Sequence, residues 1–171
     1  LAHRRQRQMC IRDSYTPDVA FEISGAWFAA PSVIIMFYFL NIFGQFISSS
    51  NRKKEEDSKL DVIKWGILER LGFVLIYLTL NYFLDSSLIL VFFLITYGIF
   101  VYSSGAILPA YFDLVSRVLY KHRAIFFAAN LTTGSLAGFL VSRYVDFRIQ
   151  EKGLVEGFSD GLLVVIAINS L

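Results

Sequence analysis

Long charge-free stretches constrain this chain more than any other feature. Residues 23–51 carry no charge at all, and residues 71–112 carry only Asp85. A helix that crosses the roughly 30 Å hydrocarbon layer of a bilayer needs about 20 apolar residues. The first window is ample for one crossing, with residues 23–47 as its apolar core. Pro31 falls in its early turns, where a missing N–H is tolerated or gives a modest kink. The second window, as one helix, would be about 60 Å long at 1.5 Å per residue, twice the bilayer. The chain must therefore reverse near Asp85, which gives spans at about 65–84 and 88–112. The first of these has to accept Glu69 and Arg70 near its start, at headgroup level, where long side chains reach water.

Residues 124–142 are again free of charge and just long enough to cross. Between them and the preceding span lies "DLVSRVLYKHR", a short basic connection. "RYVDFRIQEKGLVEGFSD" reads as a mixed-charge loop, and residues 161–171 begin a fifth apolar run about half a span long. The expected fold is an all-α, polytopic transmembrane helix bundle. Four spans and the start of a fifth lie within residues 15–171, and the natural chain is expected to continue. Composition agrees: 56% of residues are hydrophobic and 18% charged, against about 45–50% and 25% in soluble domains. The expected surroundings are a lipid bilayer, with the cell membrane as the expected location.

Lys and Arg near span ends set orientation. The loop after the first span carries Arg52, Lys53, Lys54 and Lys59, and the loop after the third carries Arg117, Lys121 and Arg123. The intervening "LDSS" carries none. Four alternating spans put both basic loops on one side, the cytoplasmic one, and residue 20 outside.

The opening "RRQRQMCIRDS" conflicts with that orientation if it is a signal-peptide n-region, because an n-region is cytoplasmic. "MCIRDS" resembles a translation of the transposon mosaic-end adapter used in preparing sequencing libraries. Residues 1–14 are therefore expected to be a non-native tail, the other reading being an ordinary basic tail. Without them the formal charge of +2 turns slightly negative and no cysteine remains. No nucleic-acid partner is expected. His3 and His122 lack the neighbours a metal site needs, and no cofactor is expected.

No Gly-rich phosphate loop, paired His and Glu on one helix face, or Ser/His/Asp set is present. The informative stretches are "GQFISSSNRKK" and "GAILPAYFDLVSRVLYKHRAIFFAANLTTGSLAG". Together they resemble the N-terminal half of a major facilitator superfamily transporter, its second to sixth helices, over nearly all of residues 20–171. Gly44, Arg52 and Lys53 fall on the family's first cytoplasmic-loop pattern. Ser48 and Ser49 stand where an Asp-Arg pair is usual, and Asn51 stands for a Gly. Gly105, Pro109, Asp113 and Arg123 match the end of the family's fourth helix and the start of its fifth. Tyr97 occupies the place of an Arg often found earlier in helix four. The resemblance implies part of a six-helix half and a small-molecule substrate moved by alternating access, with the remainder of the same chain as partner. It also implies a cytoplasmic gate loop built from Gly44, Arg52, Lys53, Asp113 and Arg123. For Arg52, Lys53 and Lys54, plain positive-inside topology, which needs no gate, is the favoured reading over a gate.

Gly134 and Gly138, four apart in "GSLAG", form a small-xxx-small pattern that permits close helix packing, which is expected of them in preference to a substrate-lining role. Asn130 and Thr133 sit on or beside that stripe, and Asn41 and Gln45 make an i, i+4 polar pair. Polar groups at membrane depth should face the bundle or a cavity. The resemblance makes Asn41, Tyr97, Asn130 and Thr133 candidates for lining a substrate cavity, with interhelical hydrogen bonding as the alternative for each. An enzymatic role is not expected. The rival function is a membrane-embedded enzyme or assembly subunit, which would need acids, His or Ser/Lys groups at membrane depth.

Overall fold

The computed structural model describes residues 11–50, 55–84 and 88–169. Among these the chain is an all-α helical bundle of six helices: α1 (Ile11–Ser24), α2 (Ala29–Ser50), α3 (Glu55–Tyr82), α4 (Ile89–Val118), α5 (Arg123–Lys152) and α6 (Leu154–Asn169). The segment expected as one span from residue 23 is divided. α1 ends at Gly25, whose φ of +61° is a conformation that glycine adopts without strain. The Gly25 amide donates to the Phe21 carbonyl at 2.7 Å, and α2 starts four residues later. Pro31 is then the third residue of α2, among the amides that have no helical partner anyway.

The expected reversal falls between Tyr82 and Ile89, although Asp85 itself lies outside the described residues. α3 runs antiparallel to α4. Ser58 meets Asp113, Phe73 meets Phe100 and Phe83 meets Phe92, so residue numbers rise on one helix as they fall on the other. α2 runs parallel to α4, with Met36 beside Gly98, Asn41 beside Gly105 and Gly44 beside Ala106. The ends of α2 and α4 that lead into the two basic loops therefore share one end of the bundle.

Among the described residues, three helices are long and apolar enough to cross a membrane: α2, α4 and α5. α4 is the central one, with half of its apolar window buried, against 11% for α2 and none for α5. Outward-facing Phe39, Phe46, Ile125 and Leu131 are natural against lipid tails, whereas a patch of this size facing water marks an interaction surface. α3 is not among the three. It starts ten residues before the expected span, and this moves Glu69 and Arg70 from its first turns to its middle, between the Gly66–Ile107 and Gly72–Phe100 contacts.

The expected mixed-charge loop at 143–160 is helical. α5 continues to Lys152, Gly153 turns the chain at φ +92°, and α6 begins at Leu154 rather than near residue 161. Charged residues here form an extension of the helix pair because the pair closes its own ion cluster. Arg148 reaches Asp160 at 2.5 Å and Glu151 at 2.8 Å, and Lys152 reaches Asp160 at 3.1 Å. α6 returns along α5 so closely that a Cβ on Gly157 would lie 2.4 Å from the Ile149 amide nitrogen. α1 lies across the same end of the bundle and contacts α2, α4, α5 and α6. Its Val19 and Ala20 are fully buried. Residues 1–10 of the adapter-like segment lie outside the described residues, while its last four continue into α1.

Candidate functional site: a cavity walled by aromatic side chains

α5 and α6 fold back on each other, and α6 leans on α3. Its Ser159 hydroxyl oxygen accepts from Asn81 Nδ2 at 2.7 Å. The first half of α5 stays apart from α4, apart from contacts such as Phe112 with Phe127 at 5.3 Å. The gap left among α1, α3, α4, α5 and α6 is a half-open cavity of about 420 Å³. That falls in the range of roughly 300–1,000 Å³ typical of small-molecule sites.

Packing positions the walls. Phe73 from α3 and Phe100 from α4 meet at 4.4 Å between ring centroids. Tyr97 lies parallel to Phe93 at 6.1 Å and is 5% exposed, so it is held in the core while bordering the cavity. Phe158 and Leu162 come from α6, and Ala137, Gly138 and Ser142 from α5. α1 contributes Tyr15 and Thr16. The Tyr15 hydroxyl donates to Asp146 Oδ1 on α5, tying α1 to the helix pair beside the opening.

Of the four residues expected to line a cavity, Tyr97 does so. Asn41 is half-buried where α2 crosses α4 and accepts from Gln45 Nε2 at 2.7 Å, which is the expected i, i+4 pair. Asn130 and Thr133 are exposed on the free half of α5 and do not border the cavity. Gly134 and Gly138 do border it. A Cβ on either would meet nothing within 4 Å, so the close packing expected of them is absent here. Close approach occurs at other glycines. A Cβ on Gly44 would lie 2.4 Å from the Tyr102 carbonyl oxygen, and one on Gly105 2.3 Å from that of Asn41. Gly161 packs on Val145. Gly44, assigned to the gate loop, is thus a packing residue in the α2–α4 seam.

At the opposite end, Asp113 accepts from the Ser58 hydroxyl at 2.6 Å and from Arg117 Nε at 2.9 Å. Ser58 is fully buried. This fastens the start of α3 to the end of α4. Arg52 and Lys53 lie outside the described residues. Arg123 opens α5 as expected, exposed, with its guanidinium 6.0 Å from the Tyr120 ring centroid.

No family model, curated protein or solved structure matches this chain. Sequence reasoning missed Phe73, Phe100, Phe158 and Ser142. Aromatic residues are so frequent here, 16% of the chain, that none stands out before the helices are placed. The one usable signal was "GFSDG", a second small-xxx-small pattern at Gly157 and Gly161, which marks α6 as the close partner of α5.

Proposed function

We propose that the chain is part of a membrane transporter, of the facilitator type that its loop motifs resemble, moving a small solute across the cell membrane by alternating access. One observation carries the reading. Two helices of membrane-spanning length and apolarity, α4 and α5, border a half-open cavity of ligand size, with Tyr97 of the central helix in its wall. A cavity walled by two helix groups, α3–α4 and α5–α6, can change its access when one group rocks against the other. The Ser58–Asp113–Arg117 contact joins α3 to α4 within one such group. Among the described residues, no comparable cluster of chemistry-bearing side chains favours the membrane-enzyme alternative.

The test is uptake. Proteoliposomes containing the protein should accumulate a solute from a mixed panel, whereas vesicles with Tyr97→Trp, which crowds the cavity, should lose at least half of that uptake with the helical content unchanged. Equal uptake by protein-free and protein-containing vesicles across the panel would defeat the proposal.

A further inference from the structure

The cavity wall is specific about charge. Among the described residues that line it there is no Asp, Glu, Lys, Arg or His. Phe73, Tyr97, Phe100, Phe158, Leu162 and Val165 supply aromatic and aliphatic surface. The hydroxyls in the wall are those of Tyr15, Thr16, Tyr97 and Ser142, of which Tyr15 donates its proton to Asp146 and Ser142 donates to the Phe139 carbonyl at 3.1 Å. Neither offers that proton to a ligand. The acids nearest the wall in sequence are Glu69, one turn from Phe73, Asp146 beside Val145 and Asp160 beside Gly161. None is part of the wall, and Asp146 is engaged by the Tyr15 hydroxyl and Asp160 by Arg148 and Lys152.

We infer that this site takes an electrically neutral, predominantly apolar small molecule with a ring system, and rejects the charged form of the same skeleton. A charged group drawn into the cavity would leave water without gaining a counter-charge from the wall, which is strongly unfavourable. A neutral ring exchanges water for apolar walls and stacks against Tyr97 or Phe100 in the offset or edge-on arrangements aromatic pairs prefer. The α5 wall is shaped for a bulky occupant. At Gly134 and Gly138 the helix surface is bare backbone with open space before it. An apolar molecule dissolved in the bilayer also arrives at this site already concentrated beside it, along the uncovered first half of α5. The inference rests on the proposed transport site but concerns what the cavity binds, so binding and transport are measured apart.

Three probes of one skeleton provide the test: neutral N-phenylnaphthylamine, its sulfonate anilinonaphthalene sulfonate, and a trimethylammonium derivative. Each is titrated against the protein in amphipol, following probe fluorescence. The neutral probe should show a saturable component with one site per chain, and both charged probes should bind about tenfold or more weakly. Gly138→Trp should abolish the saturable component because it fills open space, and Leu131→Trp, exposed on the same helix, should leave it intact. If Gly138→Trp unfolds the chain, as helical circular dichroism would show, Gly138→Leu takes its place. Charged probes that bind as tightly as the neutral one, or a saturable component unmoved by filling Gly138, would overturn the inference. Binding without uptake in the proteoliposome assay would leave this inference standing and defeat the transport reading. Uptake of a charged solute, with no binding of the neutral probe, would do the reverse.

Discussion

At the residue scale, glycines do two opposite jobs in this protein. Gly44 and Gly105 let the α2 and α4 backbones touch, so a methyl group at Gly105 would sit 2.3 Å from the Asn41 carbonyl oxygen. Helix backbones cannot yield locally as a flexible side chain can. Gly105→Ala should therefore destabilise the chain by about 1–3 kcal/mol, the cost of overpacking a tight site. Gly134→Ala meets open space in ordinary helical geometry and should be neutral or stabilising by up to about 1 kcal/mol, through the better helix propensity of alanine. Unfolding of both variants in a detergent–denaturant titration distinguishes the two environments, and equal midpoints would contradict the difference.

Asp113 is the other residue whose role is set by what it touches. Asp113→Ala leaves the fully buried Ser58 hydroxyl without this acceptor and frees Arg117. Leaving a buried donor unsatisfied costs about 1–3 kcal/mol. The expected readout is local: faster amide hydrogen exchange in the first turns of α3, with exchange in α6 unchanged. Uniform acceleration throughout the bundle would show that the contact is not a local fastening.

At the element scale, the α5–α6 pair is held by ions at its turn and by glycine contact below it. The Arg148 guanidinium, and then Lys152, hold the Asp160 carboxyl below the usual carboxylate range, and Asp160 in turn raises Arg148. These groups lie beyond the apolar stretch of α5. A depressed carboxylate pKa contributes stability that is fully present above the unfolded-state value and is lost as pH falls through the folded one. Since an ordinary Asp titrates near pH 4, the tie should hold at neutral pH and loosen below about pH 4. Spin-label distances between positions 149 and 156 should broaden on acidification in the native chain. In Asp160→Asn they should be broad already at neutral pH and respond less to acid.

At the scale of the whole molecule, chain direction decides topology. Ser58 and Asp113 touch, so the starts of α3 and α5 lie at one end of the bundle, and the Gly153 turn lies at the other with α1. In a Cys10→Ser background, Lys59→Cys and Lys121→Cys should label from the same side of intact membranes. Glu156→Cys should label only from the opposite side. Labelling of positions 59 and 121 from different sides would break the parallel pairing of α2 with α4.

Much of this architecture was legible in the residues themselves. Charge-free windows longer than a bilayer announced helices and forced the reversal between α3 and α4, because backbone polar groups in lipid must be satisfied within a helix. The Asn41–Gln45 pair followed from helical spacing alone. Local pattern stops there because it says which residues share a face but not what that face meets. Gly134–Gly138 and Gly157–Gly161 have the same spacing, yet only the second pair is pressed against a neighbour, since α6 folds back on α5 while the first half of α5 stands free. The helical reading of the charged 143–160 segment and the aromatic cavity wall likewise depend on contacts between helices. Sequence determined that this chain makes apolar helices and where most of them turn. Tertiary packing alone decided which glycines touch and which aromatic rings line a space, because both depend on how closely two distant helices approach.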